Sequence, residues 1–127
     1  TLYAADVLRC RREHPEASLM AHPECFLEVL DLADAVASTS GMLSYAKKSD
    51  ANQFIVGTEM GLIHRLKKEN PEKEFYSPTE YLICPTMKMT DLEKVRRALD
   101  EMEHVVTVSE EIRTQARKAL DAMLAVS

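Results

Sequence analysis

Short apolar runs alternate with longer amphipathic stretches along this chain, and the alternation repeats. Leu2 to His14 puts Tyr3, Val7 and Cys10 on one helical stripe and ends in Arg9, Arg11 and Arg12, cations that suit a helix C-terminus. Ala17 to Ala21 is a strand-sized apolar run closed by His22-Pro23, because a residue before proline is pushed out of the helical region. Pro23 then opens a helix to about Ala33, its missing N–H being unpaired in a first turn anyway, and Glu24 follows where the helix dipole favours a carboxylate. The unit recurs twice. Asp34 to Ala37 is a strand, Ser38-Thr39-Ser40-Gly41 a capping cluster and Met42 to Lys48 a helix. Gln53 to Val56 is the next strand, Gly57-Thr58 the turn and cap, and Glu59 to Glu69 a helix carrying Leu62, Ile63 and Leu66, stopped by Asn70-Pro71. Glu74 to Tyr76 reads as a further short strand, and Ser77 to Met89, with Pro78, Cys84 and Pro85, as an irregular loop. Thr90-Asp91-Leu92-Glu93 has the spacing of a capping box ahead of the stripe Leu92, Val95, Leu99 and Met102. Val105 to Val108 reads as a strand, and Ser109 as the N-cap of a last helix whose apolar face is Ile112, Ala116, Ala119, Leu120 and Met123.

Apolar strands of four or five residues alternating with helices are the pattern of a parallel sheet covered on both faces, so the expected fold class is α/β, a three-layer αβα sandwich with a short parallel sheet. Such a sheet delivers the C-terminal end of every strand to one rim, where ligands meet the N-termini of the following helices. His22 and Glu24, Ser38, Thr39 and Ser40, and Thr58 and Glu59 are therefore expected along a single edge.

Composition narrows the classes. The chain has 127 residues, 46% of them hydrophobic and 29% charged, enough for one ordinary globular core. Sixteen Lys and Arg against 21 Asp and Glu leave a formal charge of -5, which disfavours nucleic acid and acidic membrane surfaces as partners. Three glycines argue against a turn-rich β-sandwich and against a glycine-rich nucleotide loop. No apolar run approaches the roughly 20 residues of a bilayer span and no secretory leader pattern opens the chain, so a soluble protein is expected. Cys10, Cys25 and Cys84 are odd in number and widely scattered, which points to a reducing compartment rather than a disulfide framework. The chain starts at Thr1, directly before a helical pattern, so it is expected to be a piece of a longer polypeptide.

Each candidate group has a structural alternative. Ser38-Thr39-Ser40-Gly41 offers hydroxyls and free backbone N–H groups to a carboxylate or phosphate, but plain N-capping uses the same atoms. His22 with Glu24 supplies an imidazole that works near neutral pH and a carboxylate that takes a proton, against a strand-end histidine and simple dipole compensation. Thr58 and Glu59 read more readily as a cap and a first-turn carboxylate, and His64 as a structural or surface group. Cys84, in the irregular loop, is placed to be a soft metal ligand or an inert thiol, whereas Cys10 and Cys25 are expected within helices as small hydrophobes. One thiolate holds no cluster by itself.

Four segments in order carry a resemblance. Leu19-Met20-Ala21-His22-Pro23-Glu24-Cys25, Ala33 to Gly41, Phe54 to Leu66, and Cys84-Pro85-Thr86-Met87-Lys88-Met89-Thr90 together closely resemble the quinolinate synthase family, the A protein of bacterial NAD biosynthesis. The resemblance implies a cytoplasmic transferase that condenses iminoaspartate with dihydroxyacetone phosphate to quinolinate at a 4Fe–4S cluster, with iminoaspartate linking it functionally to L-aspartate oxidase. It implies three αβα domains about a pseudo-threefold axis, this chain being the third, with 1–16 a helix linking from the preceding domain and 17–127 the C-terminal domain with the cluster-cysteine loop at about 77–89. By the same likeness Cys84 is a cluster ligand, with the other cysteine ligands upstream of Thr1, and neither Cys10 nor Cys25 is one. His22 and Glu24 match the active-site His-Pro-Glu, and Ser38 and Thr39 the pair that holds a substrate carboxylate or the triose phosphate. Such a piece alone is expected to be inactive. The reading that competes with it is a stand-alone anion- or nucleotide-binding αβα module without chemistry, or an interaction domain whose rim is merely capped.

Overall fold

The structure is a computed structural model that describes residues 1–126; the last residue of the expected C-terminal domain, Ser127, lies outside the described residues. The elements run α1 (Ala4–Glu13), β1 (Ser18–Ala21), α2 (Leu27–Leu30), β2 (Ala35–Val36), α3 (Thr39–Lys48), β3 (Gln53–Gly57), α4 (Gly61–Glu69), β4 (Glu74–Tyr76), α5 (Pro85–Lys88), α6 (Leu92–Asp100) and α7 (Glu110–Leu124). The described residues form two compact units, 1–85 and 86–126.

In the first unit the strands make a four-stranded sheet in the order β2-β1-β3-β4, with every pairing parallel. Successive side chains of a strand point to opposite faces, and the core divides accordingly. Leu19 and Ala21 of β1 and Ile55 of β3 pack with Leu2, Val7 and Cys10 around α1 and with Val29 of α2. Met20, Phe54 and Val56 pack on the other face with Met42, Leu43 and Ala46 of α3, Leu66 of α4 and Phe75 of β4. A sheet apolar on both faces with helices on each is the three-layer αβα arrangement expected from the alternation. Helix α1 is part of this core, with Val7 fully buried.

Several boundaries differ from the sequence reading for local reasons. The helix expected from Pro23 to about Ala33 is reduced to Leu27–Leu30, because the Cys25 N–H bonds to the His22 carbonyl at 2.9 Å and Phe26 is extended, so residues 23–25 turn instead. Cys25 is accordingly not in a helix. β2 is two residues long, since Asp34 spends its carboxylate on the Leu19 N–H at 2.7 Å and on Arg11 at 2.6 Å. α3 starts at Thr39, three residues before the expected Met42, with Ser38 as its N-cap.

The second unit holds α6 and α7 and, among its described residues, no buried side chain. The cap of α6 is Asp91, whose carboxylate accepts the Lys94 N–H at 2.8 Å, so the expected Thr90 to Glu93 box is shifted by one residue. Ser109 is the N-cap residue of α7 without a side-chain bond. The strand expected at Val105 to Val108 is absent. β-branched residues favour extended backbone, but a strand requires a partner, and the four paired strands all belong to the first unit.

Candidate active site

The strand register carries separated turns to one edge. Ala21 at the end of β1 stands level with Val36 of β2 and with Gly57 of β3, so His22, Ala37 and Thr58 leave the sheet side by side. With strands about 4.8 Å apart, the three exits span about 10 Å. Two bonds continue the ladder past the strands: the His22 N–H donates to the Gly57 carbonyl at 3.2 Å and the Ala37 N–H to the Ala21 carbonyl at 3.0 Å.

At the first exit, Pro23 takes the second position of a tight turn closed by the Cys25 N–H on the His22 carbonyl, a position that its preset φ suits. The Glu24 N–H points at Nδ1 of His22 at 3.4 Å, so the neutral ring carries its own proton on Nε2. Glu24 Oε2 lies 3.7 Å from the same Nδ1, but its side chain is 90% exposed against 26% for His22. An exposed carboxylate gains little from such a pair, which leaves it available to a ligand. Glu24 is thus in a turn before α2, and helix-dipole compensation does not explain it.

At the second exit, the Ser38 hydroxyl accepts the Gly41 N–H at 3.3 Å and lies 3.4 Å from the Ser40 hydroxyl. Plain capping therefore accounts for Ser38. Thr39, the first residue of α3, is exposed beside it, and the N-terminal N–H groups of a helix attract anions. Gly41 lets the chain close up here, for a Cβ on it would stand 2.9 Å from Cβ of Ala37.

At the third exit the chain fills its own helix terminus. Glu59 Oε2 accepts the Gly61 N–H at 2.8 Å, Met60 is the N-cap residue of α4, and Thr58 does not cap it. Of the two long helices that begin at the rim, α3 presents a neutral hydroxyl cap and α4 a carboxylate, so an incoming anion is favoured at α3. His64 is exposed one turn into α4.

The segment bearing Cys84 is tied to the same edge. Arg9 of α1 donates to the Pro78 carbonyl at 3.1 Å, the Ser77 hydroxyl to the Thr79 carbonyl at 2.6 Å, and the Met60 N–H to the Leu82 carbonyl at 2.8 Å. The last bond anchors the segment at the β3–α4 turn, and Cys84 follows two residues later, at most about 7 Å of chain. Cys84 is half-buried. The other two thiols are held protonated. Burial first, then Glu13, pushes Cys10 up against the smaller pull of Arg9. Burial also raises Cys25, with a backbone bond to His22 opposing and Glu24 adding. Cys84 lies in the segment anchored at this edge, where its sulfur would fit as a single ligand to a cluster whose other ligands come from elsewhere. Among the described residues no group of three or more His, Cys, Asp and Glu is placed to hold a metal ion by itself.

Two residues of this edge were not read from the sequence as site residues. Gly57 offers its carbonyl to both the His22 N–H and the Cys25 thiol, the latter at 3.3 Å, and a Cβ there would come within 3.0 Å of the Met20 carbonyl oxygen. Its rarity was the available signal, as one of three glycines. Met60 acts only through its backbone, for which side-chain patterns hold no signal.

No helix among the described residues is long and apolar enough to cross a membrane. The family model of the quinolinate synthetase A protein matches residues 1–125. The quinolinate synthase of Methanosarcina barkeri (strain Fusaro) is 56% identical over 121 residues, covering 95% of this chain and 40% of the relative. Quinolinate synthase 1 of Methanosarcina acetivorans is 57% identical over 121 residues with the same coverage, and the quinolinate synthase of Thermodesulfovibrio yellowstonii 50% identical over 119 residues. The chain thus spans about two-fifths of the length of these relatives, 40% in the first two and 39% in the third. It belongs to the quinolinate synthetase A protein family.

Proposed function

We propose that this chain is the C-terminal part of a quinolinate synthase and supplies one wall of the site where iminoaspartate condenses with dihydroxyacetone phosphate, losing phosphate and water, to form quinolinate. The observation that carries the reading is the shared edge: Ala21, Val36 and Gly57 in register, with Leu82 bonded to the turn beyond Gly57. It supports a joint task for His22, Glu24, Thr39 and Cys84. Cys84 would be this chain's ligand to a 4Fe–4S cluster, with the remaining ligands coming from the rest of the longer polypeptide. When bound, that cluster would supply a Lewis-acidic iron.

The chain's own groups divide the remaining work. The α3 N-terminus, with Ser38 fixing the cap and Thr39 exposed, binds a carboxylate or the triose phosphate through N–H and hydroxyl donors. His22, with Nδ1 accepting the Glu24 N–H, presents its Nε2–H to a substrate oxygen. The exposed Glu24 carboxylate takes and returns the protons of condensation and dehydration. An L-aspartate oxidase would supply iminoaspartate. The odd number and wide scatter of the three cysteines support a cytoplasmic setting.

The test uses the complete polypeptide purified without oxygen. It is expected to be brown, to lose colour in Cys84→Ser, and to keep colour in Cys10→Ser and Cys25→Ser. Glu24→Gln is expected to keep its colour and lose about 10²- to 10⁴-fold in turnover. A colourless protein that binds inorganic phosphate equally well with and without Cys84→Ser would overturn the reading in favour of an anion-binding module.

A further inference from the structure

The ladder between β1 and β3 ends at the pair Ala21 and Gly57, and the His22 N–H makes one more bond to the Gly57 carbonyl. The next residue, Pro23, has no N–H to give. The turn that carries His22 and Glu24 would therefore leave the sheet anchored only at its start. Cys25 closes the gap from the far side. Its backbone N–H bonds to the His22 carbonyl at 2.9 Å, and its Sγ reaches the same Gly57 carbonyl at 3.3 Å. A carbonyl oxygen has two lone pairs and accepts both donors. The absence of a side chain at Gly57 permits the close approach, since a Cβ there would meet the Met20 carbonyl oxygen at 3.0 Å and Leu2 Cδ2 at 3.3 Å.

We infer that Cys25 is a positioning residue, whose thiol donates to the Gly57 carbonyl and so latches the His22–Glu24 turn to the end of β3. The thiol serves as a donor because it keeps its proton. Burial disfavours the thiolate most, the His22 backbone bond opposes this, and the neighbouring Glu24 carboxylate adds to it. Because the Glu24 N–H also sets the His22 ring through Nδ1, releasing the latch displaces imidazole and carboxylate together. The α3 cap is made by Ser38 and Gly41, outside that turn. The catalytic consequence rests on the function proposed above, whereas the latch itself does not.

The test compares Cys25→Ala, Cys25→Val and Cys25→Ser in the complete cluster-loaded polypeptide, with two readouts. Amide hydrogen exchange over residues 22–26 is expected to quicken about fivefold in Cys25→Ala and Cys25→Val, the effect of one lost hydrogen bond. It should stay near wild type in Cys25→Ser, whose hydroxyl still donates. Quinolinate formation is expected to lose about 10- to 100-fold in kcat in the Ala and Val variants at nearly constant KM and cluster absorbance, with Ser restoring most of it. Exchange and kcat unchanged in Ala, or a Ser variant as impaired as Ala, would overturn the inference. Faster exchange with kcat unchanged would overturn the positioning role. If the wild type makes no quinolinate, the proposed function fails and exchange alone decides whether the latch exists.

Discussion

Residues 1–85 and 86–126 both contain amphipathic helices, yet only the first set buries its apolar stripes. Val7 of α1, Met42 of α3 and Leu66 of α4 are completely buried because each meets a strand whose residues alternate between two covered faces. In α6 and α7, Leu92 is 87% exposed, Leu99 71% and Ile112 61%. The difference shows that an apolar stripe becomes a core only where another element returns to cover it. The helices of the second unit rest instead on local devices: the Asp91 cap and ion pairs such as Arg96 with Glu93 at 2.6 Å and Arg97 with Glu101 at 3.5 Å. Exposed pairs of this kind contribute about 0.2–1 kcal/mol at most.

The sharpest way to break the contrast is truncation. Phe54→Ala, in the face packed against α3 and α4, is expected to cost about 3–5 kcal/mol in urea denaturation of the chain. Leu99→Ala should shift stability by no more than about 0.5 kcal/mol. Comparable losses would mean that the α6 stripe is covered after all. A smaller effect separates two lysines. Lys73 Nζ donates to the carbonyls of Ala46 at 2.8 Å and Ser49 at 2.6 Å, closing the C-terminus of α3, and lies 5.5 Å from the Phe54 ring centre. Lys73→Met is expected to cost about 1.5–3 kcal/mol, the range of bonds to a charged donor. Lys94, 63% exposed and paired with Asp91 at 3.1 Å, should cost under about 0.5 kcal/mol as Lys94→Met.

The smallest effect is a pH dependence confined to the second unit. Asp91 is held below the ordinary carboxylate range, first by the Lys94 backbone N–H and then by the Lys94 side chain. A depressed carboxyl stabilises the folded form fully above its unfolded value, near 3.9, and this stabilisation is lost as pH falls through the lower folded value. The amide signals of α6 should therefore report fraying as acid is added, and Asp91→Ala should remove the N-terminal part of that dependence, leaving the part due to Glu103, which the Arg97 side chain holds low. A helix α6 indifferent to acid would refute the cap.

Much of the first unit was legible because its signals are local. The apolar runs at Leu19 to Ala21 and Phe54 to Val56, the proline after His22 and the serine cluster before α3 each mark their own element. From those elements the rule that parallel strands end at one rim placed His22, Glu24, Ser38 and Thr39 together. The rest depends on contacts between distant residues. Nothing near Cys25 in sequence announces the Gly57 carbonyl, and nothing near Cys84 announces the bond between Leu82 and Met60. Val105 to Val108 shows the opposite failure, a strong local β preference with no strand beside it.

The central claim, that the Cys84 segment shares the edge of His22, Ser38 and Thr58, can be measured in solution. A nitroxide attached to Cys84, in a Cys10→Ala, Cys25→Ser background, should broaden the amide signals of His22, Ser38 and Thr58 more strongly than those of Asp50, Asn52 and Asn70 at the opposite edge of the sheet. The reverse order would put Cys84 on the wrong side of the molecule and contradict the account.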